Sequence, residues 1–343
     1  MSVKKLSPPE LERWVQSLIH RHRVFGPQAK SNRFVYELLM AAADLRLDHD
    51  VTILPPRKFL LPPCEALSHF TRAGDFQPVF DGRPMVLFGV HPYDVAAIAQ
   101  MDKYFGQDNP DAHYLERRKS TTLVACDVQN PSANVFAASM GTATVKEGFD
   151  LLLTRIGGVY LADSRTPAGD ALLAEAGDLR DADALDLARR DQLWLDAGKL
   201  LGRRALNCRL DQLPALLEKS YEHPVWREKS KMCYSCGSCV MVCPSCFCFD
   251  VQDEVNWDTQ GGTRSRRWDS CMLADFARVA GGHNFRKHRA ERYRHRFYRK
   301  GKYLSDRCGF VACVGCGRCA TACTTHIADP VDLYNRLLEN NDG

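Results

Sequence analysis

The sequence has no long hydrophobic run. None of its 343 residues belong to an unbroken stretch of 18 apolar residues, so the sequence predicts no membrane-spanning helix. The start of the chain, from Met1 to Glu10, lacks the apolar core of a secretory signal, and we expect a cytoplasmic protein with no membrane insertion. Neither charge sign dominates, since 46 Lys and Arg oppose 42 Asp and Glu. A net charge of +4 does not by itself indicate a nucleic-acid partner.

Nucleotide-binding and zinc-hydrolase motifs are also missing. The chain has neither a Gly-x-Gly-x-x-Gly after a strand nor a Gly-x-x-x-x-Gly-Lys-Ser/Thr, and it has no His-Glu-x-x-His. The loose match at Gly315-x-Gly317-x-x-Ala320 lies inside a cysteine run with no strand before it, and we discard it. Nothing points to a serine nucleophile, so the sequence favours a non-catalytic protein.

Composition and length indicate a folded chain of about two domains. Residues 1–205 alternate strand and helix patterns, which predicts an α/β scaffold or docking domain. Ser7 and Glu10 form a capping box for a first helix. The other predicted elements are strands at Met85–Val90, Thr121–Asp127 and Gly158–Asp163, a helix at Asp94–Phe105, and helices over about 168–200. The proline-rich stretch 54–63 predicts an extended segment on the surface.

Cysteine is abundant, and its distribution is uneven. There are 15 cysteines, an odd number, and 12 of them lie between Cys233 and Cys323. Thiols stay reduced in the cytosol, where clustered cysteines bind metal more often than they form disulfides. The cysteine-rich part, residues 206–343, is therefore predicted to be a separate metal-binding domain.

Two cysteine runs share one spacing. Both read Cys-x-x-Cys-x-x-Cys-x-x-x-Cys, the spacing of a bacterial two-cluster ferredoxin, in which three cysteines of a run hold one [4Fe–4S] cube and the fourth ligates the other. The two-residue gaps form a tight loop around one cluster, whereas the cysteine after the three-residue gap points away. This predicts one cluster on Cys233, Cys236, Cys239 and Cys323, and another on Cys313, Cys316, Cys319 and Cys243.

Zinc and disulfides are the weaker alternatives for these cysteines. Zinc prefers four tetrahedral ligands in paired knuckles rather than two matching runs of four. Pro244 follows the first run, whereas Thr324 follows the second. Proline shapes the turn without being a ligand, so this change is not expected to abolish the cluster.

Four further cysteines leave two readings open. Cys208, Cys246, Cys248 and Cys271 either hold a third [4Fe–4S] cluster or are buried structural thiols. Cys208 is the least secure of the four predicted ligands, and we expect Cys64 and Cys308 to be bystanders.

The 80 residues that separate the starts of the two runs end in a basic stretch. Residues 283–302 contain nine Lys or Arg and one Glu, with interleaved aromatic residues. Such a pattern is found in nucleic-acid-binding proteins. We favour neutralisation of anionic clusters and contact with an acidic partner.

The cysteine-rich part resembles a known family. Its motifs are similar to those of the β subunit of cytosolic [NiFe] sulfhydrogenases and of the A subunit of anaerobic sulfite reductase. The likeness rests on Cys233–Asp250, Trp268–Cys271, Ala280–Arg286, Tyr293–Arg296 and Cys313–Cys319, and in the first part on Phe88–Pro92, Asp94, Tyr114–Arg118 and Ser139–Thr142.

The resemblance implies an α+β protein in which the α/β domain is followed by a mainly α-helical two-cluster ferredoxin domain. It implies an electron-transfer subunit whose relay links a flavin and NAD(P)-binding subunit with a hydrogenase or sulfite reductase catalytic subunit. A self-sufficient reductase of sulfur or sulfite would need its own flavin or sirohaem, for which the sequence offers no recognisable site. A nucleic-acid-binding cluster protein is the third hypothesis.

One set of family cysteines is incomplete. Relatives commonly have Cys where this chain has Tyr93, and Cys-Phe-Cys where it has Val135-Phe136-Ala137, although Cys126 remains. The resemblance therefore implies that the first domain here holds no cluster of its own. We predict Cys126 to be a small buried side chain.

Overall fold

The first helix begins where the capping box predicts it. In the computed structural model, which describes residues 3–339, the Glu10 carboxylate accepts hydrogen bonds from the Ser7 N–H, at 2.7 Å, and from the Ser7 hydroxyl. The helix α1 spans Pro8–Arg21 and buries Leu11, Trp14, Val15 and Leu18 on one face.

The described chain has twelve strands in two sheets. The strands are β1 (Lys4–Leu6), β2 (Val24–Lys30), β3 (Arg33–Leu38), β4 (Cys64–Thr71), β5 (Phe76–Pro78), β6 (Met85–Val90), β7 (Thr121–Cys126), β8 (Leu151–Ile156), β9 (Val159–Ser164), β10 (Arg180–Asp181), β11 (Phe249–Val255) and β12 (Gly261–Trp268). The predicted strands at Met85–Val90, Thr121–Asp127 and Gly158–Asp163 correspond to β6, β7 and β9.

The larger sheet has the order β10-β1-β9-β8-β7-β6-β2-β3. Its centre, from β2 through β6 and β7 to β8, is parallel, and its outer pairs are antiparallel. All six residues of β6 are buried, as expected for a central strand covered on both faces. Apolar clusters lie on both faces of this sheet, one with α1 and the other with the helix after β6.

The smaller sheet has the order β11-β12-β4-β5 and is antiparallel throughout. Its strands β4 and β5 come from the predicted first domain, whereas β11 and β12 come from the insert between the cysteine runs. The buried Arg266 guanidinium, on β12, donates to the Glu65 carboxylate, on β4, at 2.8 Å. The predicted division at residues 205/206 is therefore crossed by a continuous sheet.

Thirteen α-helices are formed by residues 3–339. They are α1, α2 (Arg57–Leu60), α3 (Pro92–Gly106), α4 (Ala112–Lys119), α5 (Pro167–Ala174), α6 (Ala184–Leu200), α7 (Leu213–Lys219), α8 (Val225–Ser230), α9 (Ser238–Met241), α10 (Arg289–Tyr298), α11 (Leu304–Cys308), α12 (Arg318–Ala322) and α13 (Pro330–Glu339). A π-helical turn, Arg299–Tyr303, joins α10 to α11.

The α+β class is confirmed, with 38% helix and 21% strand. The helices after residue 206 are short, at four to ten residues, and they share this part of the chain with the β11–β12 hairpin. A mainly helical second domain stays a prediction. Within residues 3–339, no helix has both the length and the apolar character needed to cross a bilayer.

The prediction of an extended surface segment over 54–63 is wrong. Pro55, Pro56 and Arg57 are buried, and the segment turns into α2, with Leu60 and Leu61 fully buried. Proline excludes a central strand but suits the start of a helix, and here the turn carries Arg57 into the cysteine-rich part.

Candidate metal centre

The two cysteine runs fold in the same way. In each run the first two cysteines lie in a loop and the third lies in a short helix. Gly237 and Gly317 precede these helices, α9 and α12, which pack against each other. Both glycines adopt left-handed backbone angles, with φ of 78° and 75°. A Cβ on Gly317 would lie 2.4 Å from the backbone of Asn134, so only glycine fits this close approach.

One cavity is lined by cysteines from both runs. It encloses about 420 Å³ of space not filled by protein atoms, its mouth to solvent included. Tyr234, Met272, Tyr293 and Ile327 contribute to its walls. The cysteines around it are Cys233, Cys236, Cys239 and Cys323.

A second cavity, of about 420 Å³ with its mouth to solvent again included, lies beside α12 and α13. Phe136, Arg296, Lys300 and Tyr334 form part of its wall. The cysteines around it are Cys243, Cys313, Cys316 and Cys319. In both runs the fourth cysteine thus lines the cavity of the other run.

The structure brings together the same two sets of four that the spacing predicts, and their role as ligands stays a prediction. The thiols of each set surround an open space, which suits a [4Fe–4S] cube because each thiolate binds a different iron. Within residues 3–339, no three His, Cys, Asp or Glu side chains are arranged to hold one metal ion.

Burial weakens the acidity of several of these thiols. It raises the pKa of Cys239 and of Cys313 to about 12. Burial also opposes ionisation of Cys243, but Lys300 and Arg296 outweigh it and lower the pKa of that thiol. Metal coordination deprotonates a thiol outright, and cations close to the sulfur atoms would offset the negative charge that the thiolates bring into the interior.

Three buried cations lie on one face of α10 and the π-helical turn, and two of them, Arg296 and Lys300, act on the sulfur atoms. Arg292, Arg296 and Lys300 recur every four residues and are each about 5% exposed or less. Arg296 donates to the Cys239 carbonyl at 2.8 Å, and Lys300 donates to the Ser245 carbonyl at 2.7 Å. This cation stripe follows helical spacing and could have been found in the sequence.

The basic stretch is therefore divided between the interior and the surface. Three of its aromatic residues, Tyr293, Phe297 and Tyr298, are about 1% exposed and pack around Trp226, whereas Phe285 is exposed. Aromatic rings that stack on bases have to be accessible. The burial of these three rings favours the neutralisation reading of the stretch over nucleic-acid binding.

Cys246, Cys248 and Cys271 lie together, all buried. The sulfur atoms of Cys246 and Cys248 are 3.8 Å apart, and Cys271 lies beside Cys248. Cys246 and Cys248 touch each other, whereas the thiols of the two cavities surround open space.

Cys208, the fourth predicted member, is only half-buried and packs with other residues of the core. Burial raises its pKa, and Asp211 is the charge that adds to this effect. The structure thus brings together three of the four cysteines proposed for a third cluster.

The remaining cysteines lie apart from both cavities. Cys126, at the end of β7, is fully buried in the sheet core, as predicted for a small apolar side chain. Cys308 is buried in α11, and Cys64 is exposed at the start of β4.

Two arginines at the site were missed in the sequence. Arg318 lies between Cys316 and Cys319 and pairs with Asp94 of α3 through two hydrogen bonds of 2.6 and 2.7 Å, with both side chains about 2% exposed. The motif Cys-Gly-Arg-Cys was a signal for it, because an arginine inside a buried loop needs a buried partner.

The second is Arg57, which is buried beside sulfur. It donates to the Met241 carbonyl at 3.0 Å and stacks on Trp268, 3.8 Å from the ring centre. Two of its nitrogens, Nε and Nη1, have no hydrogen-bond partner among the described residues. The groups near Arg57 that can carry negative charge are the thiols of Cys243, Cys246 and Cys248. No local pattern in the sequence indicates this contact.

Comparisons with known proteins agree with this geometry. The 4Fe-4S dicluster domain family matches residues 232–327, which include all eight cysteines of the two cavities. The chain is also 33% identical over 306 residues to sulfhydrogenase 2 subunit beta of Pyrococcus furiosus, with 89% of each chain covered. The two cysteine runs and the length of this match lead to one conclusion: the chain belongs to the sulfhydrogenase β-subunit family and carries iron–sulfur clusters.

Proposed function

We propose that this protein is an electron-transfer subunit that holds two [4Fe–4S] clusters. Cys233, Cys236, Cys239 and Cys323 would hold the first cluster, and Cys243, Cys313, Cys316 and Cys319 the second. The observation that carries the proposal is the pair of cavities, each lined by four cysteines, with the fourth cysteine of each run at the cavity of the other.

Such clusters, when bound, supply one-electron redox chemistry. The chain's own residues hold the charge and shape of the two sites. The cation stripe of Arg292, Arg296 and Lys300 balances negative charge in a region without solvent. The pair of Arg318 with Asp94 fixes the loop of the second site on the scaffold.

The proposed partners are other subunits of an oxidoreductase. We propose that electrons pass in the cytoplasm through this chain, which links a flavin and NAD(P)-binding subunit with a [NiFe]-hydrogenase catalytic subunit. A role like that of the A subunit of anaerobic sulfite reductase is the alternative. Co-purification of the native complex followed by mass spectrometry separates the two, because the first predicts a hydrogenase large subunit, whereas the second predicts a sirohaem subunit.

A third cluster on Cys208, Cys246, Cys248 and Cys271 stays a prediction. Cys246, Cys248 and Cys271 lie together near Arg57, and Cys208 is half-buried and packs against the same core. Replacing Cys271 by Ser, with Cys208→Ser as the matched control, tests whether the three thiols hold iron.

The test of the proposal is an iron and sulfide count on protein purified without air. Two clusters require about eight irons and eight sulfides per chain, and a third raises both counts to about twelve. Colourless protein with no iron or sulfide would contradict the proposal.

A further inference from the structure

Exposed apolar side chains lie on the segments of chain that border the first cavity. Cys236, which lines this cavity, is itself exposed, and Tyr234 beside it is 74% exposed. Leu273 packs next to Gly237 on the same face. We call this surface the Cys236 face; its exposed apolar side chains are Met232, Tyr234, Leu273, Val279 and Phe285.

Arg292 holds the segments of this face together. Its guanidinium donates to the Ser235 hydroxyl, to the Met272 carbonyl and to the Lys287 carbonyl, at 3.2, 3.0 and 2.6 Å. The loop that carries Val279 and Phe285 is closed by backbone hydrogen bonds between 279 and 283 and between 277 and 285. The face is therefore built on ordered elements.

Cations form the rim of the Cys236 face. Lys231, Arg278, Lys287 and Arg289 are exposed on these segments, and Asp275, paired with Arg278, is an exposed acidic residue among them. The side chains of Lys231 and Lys287 form no ion pair within the described residues. An apolar centre with a charged rim is the usual anatomy of a protein–protein interface.

We propose that the Cys236 face docks an acidic redox protein or subunit, so that electrons enter or leave through the first cluster. This inference rests on the proposed function and adds the side on which the partner sits. The apolar residues would exclude water between the two centres, and the cationic rim would attract the partner's acidic surface and raise the association rate.

The test measures electron delivery from the reduced whole protein to a small acidic ferredoxin by stopped-flow. We expect Lys287→Glu to slow the second-order rate about tenfold at low salt, with little effect at high salt. Phe285→Ser combined with Val279→Ser should slow it at any salt. Lys119→Glu on α4 and Phe80→Ser, both exposed on the scaffold, are the matched controls.

Two further measurements separate the docking surface from the redox function. Dithionite should reduce every variant to the same extent as the wild type, and this result would show that the clusters are intact. If the wild type takes up no electrons from dithionite, the proposed function fails rather than the docking inference. In the native complex, Met232 and Phe285 should be protected from oxidative footprinting. The docking inference would be overturned if the variants transferred electrons at the wild-type rate. It would also be overturned if only nucleic acid, or only a second copy of the chain, protected Met232 and Phe285.

Discussion

Replacing Asp94 by Ala tests how the second cysteine loop is held on the scaffold. The Asp94 carboxylate accepts both hydrogen bonds from the Arg318 guanidinium, and neither side chain is exposed by more than about 2%. Without this carboxylate, the Arg318 guanidinium keeps, within residues 3–339, only the Thr52 carbonyl and hydroxyl as hydrogen-bond partners. Breaking a buried pair in this way costs about 3–5 kcal/mol of unfolding free energy, because the remaining charge is desolvated and unpaired.

Urea unfolding without air, followed by tryptophan fluorescence, measures that loss. Asp81→Ala is the control, because it breaks an ion pair of similar length on the surface. The Asp81 carboxylate lies 2.7 Å from the Arg83 guanidinium, and the two side chains are 41% and 68% exposed. An exposed pair contributes about 0–1 kcal/mol. Because Arg318 lies between Cys316 and Cys319, Asp94→Ala should also release the second cluster before the first. Equal destabilisation by the two substitutions would refute the argument.

Further predictions concern the cation stripe, the glycine loops and a buried histidine. Arg296→Met should lower the reduction potential of the clusters in an EPR-monitored titration, because a buried positive charge favours the added electron; unchanged potentials would contradict this. Gly317→Ala should prevent loading of the second cluster, because the added Cβ would collide with the Asn134 backbone. Gly74 also has a positive φ but has open space around it, so Gly74→Ala should lower the free energy of unfolding in urea by only about 1–2 kcal/mol. Burial lowers the pKa of His49 to about 3, so protonation of this histidine should destabilise the folded protein as the pH falls from about 6.5 towards 3. His49→Phe should make the urea midpoint depend less on pH over this range. An unchanged pH dependence of the midpoint would refute the prediction.

Local patterns in the sequence predicted the elements whose structure depends on neighbours in the chain. The capping box of Ser7 and Glu10 and the apolar run Met85–Val90 indicated α1 and β6 because caps and continuous burial leave local signals. The spacing of the cysteines likewise predicted the two sets that surround the cavities, since two-residue gaps constrain where each thiol can point.

Contacts between distant segments could not be read in this way. Strand β4 pairs with β12 some 200 residues later, as the contact of Glu65 with Arg266 shows, and no local signal encodes that register. The burial of Arg57 and of stretch 54–63 depends on the same long-range packing. The cation stripe is the intermediate case, because its four-residue spacing was visible but its direction towards the cavities was not.

The crossed cysteines offer the most direct test of the proposed two-cluster relay. Whole protein with Cys243→Ser, Cys323→Ser or Cys313→Ser is purified without air and reduced, and the EPR signals of the two clusters are compared. Crossed ligation predicts that Cys243→Ser alters the same signal as Cys313→Ser and that Cys323→Ser alters the other. If Cys323→Ser instead alters the same signal as Cys313→Ser, and Cys243→Ser alters the other, each run holds its own cluster and the crossed arrangement is wrong.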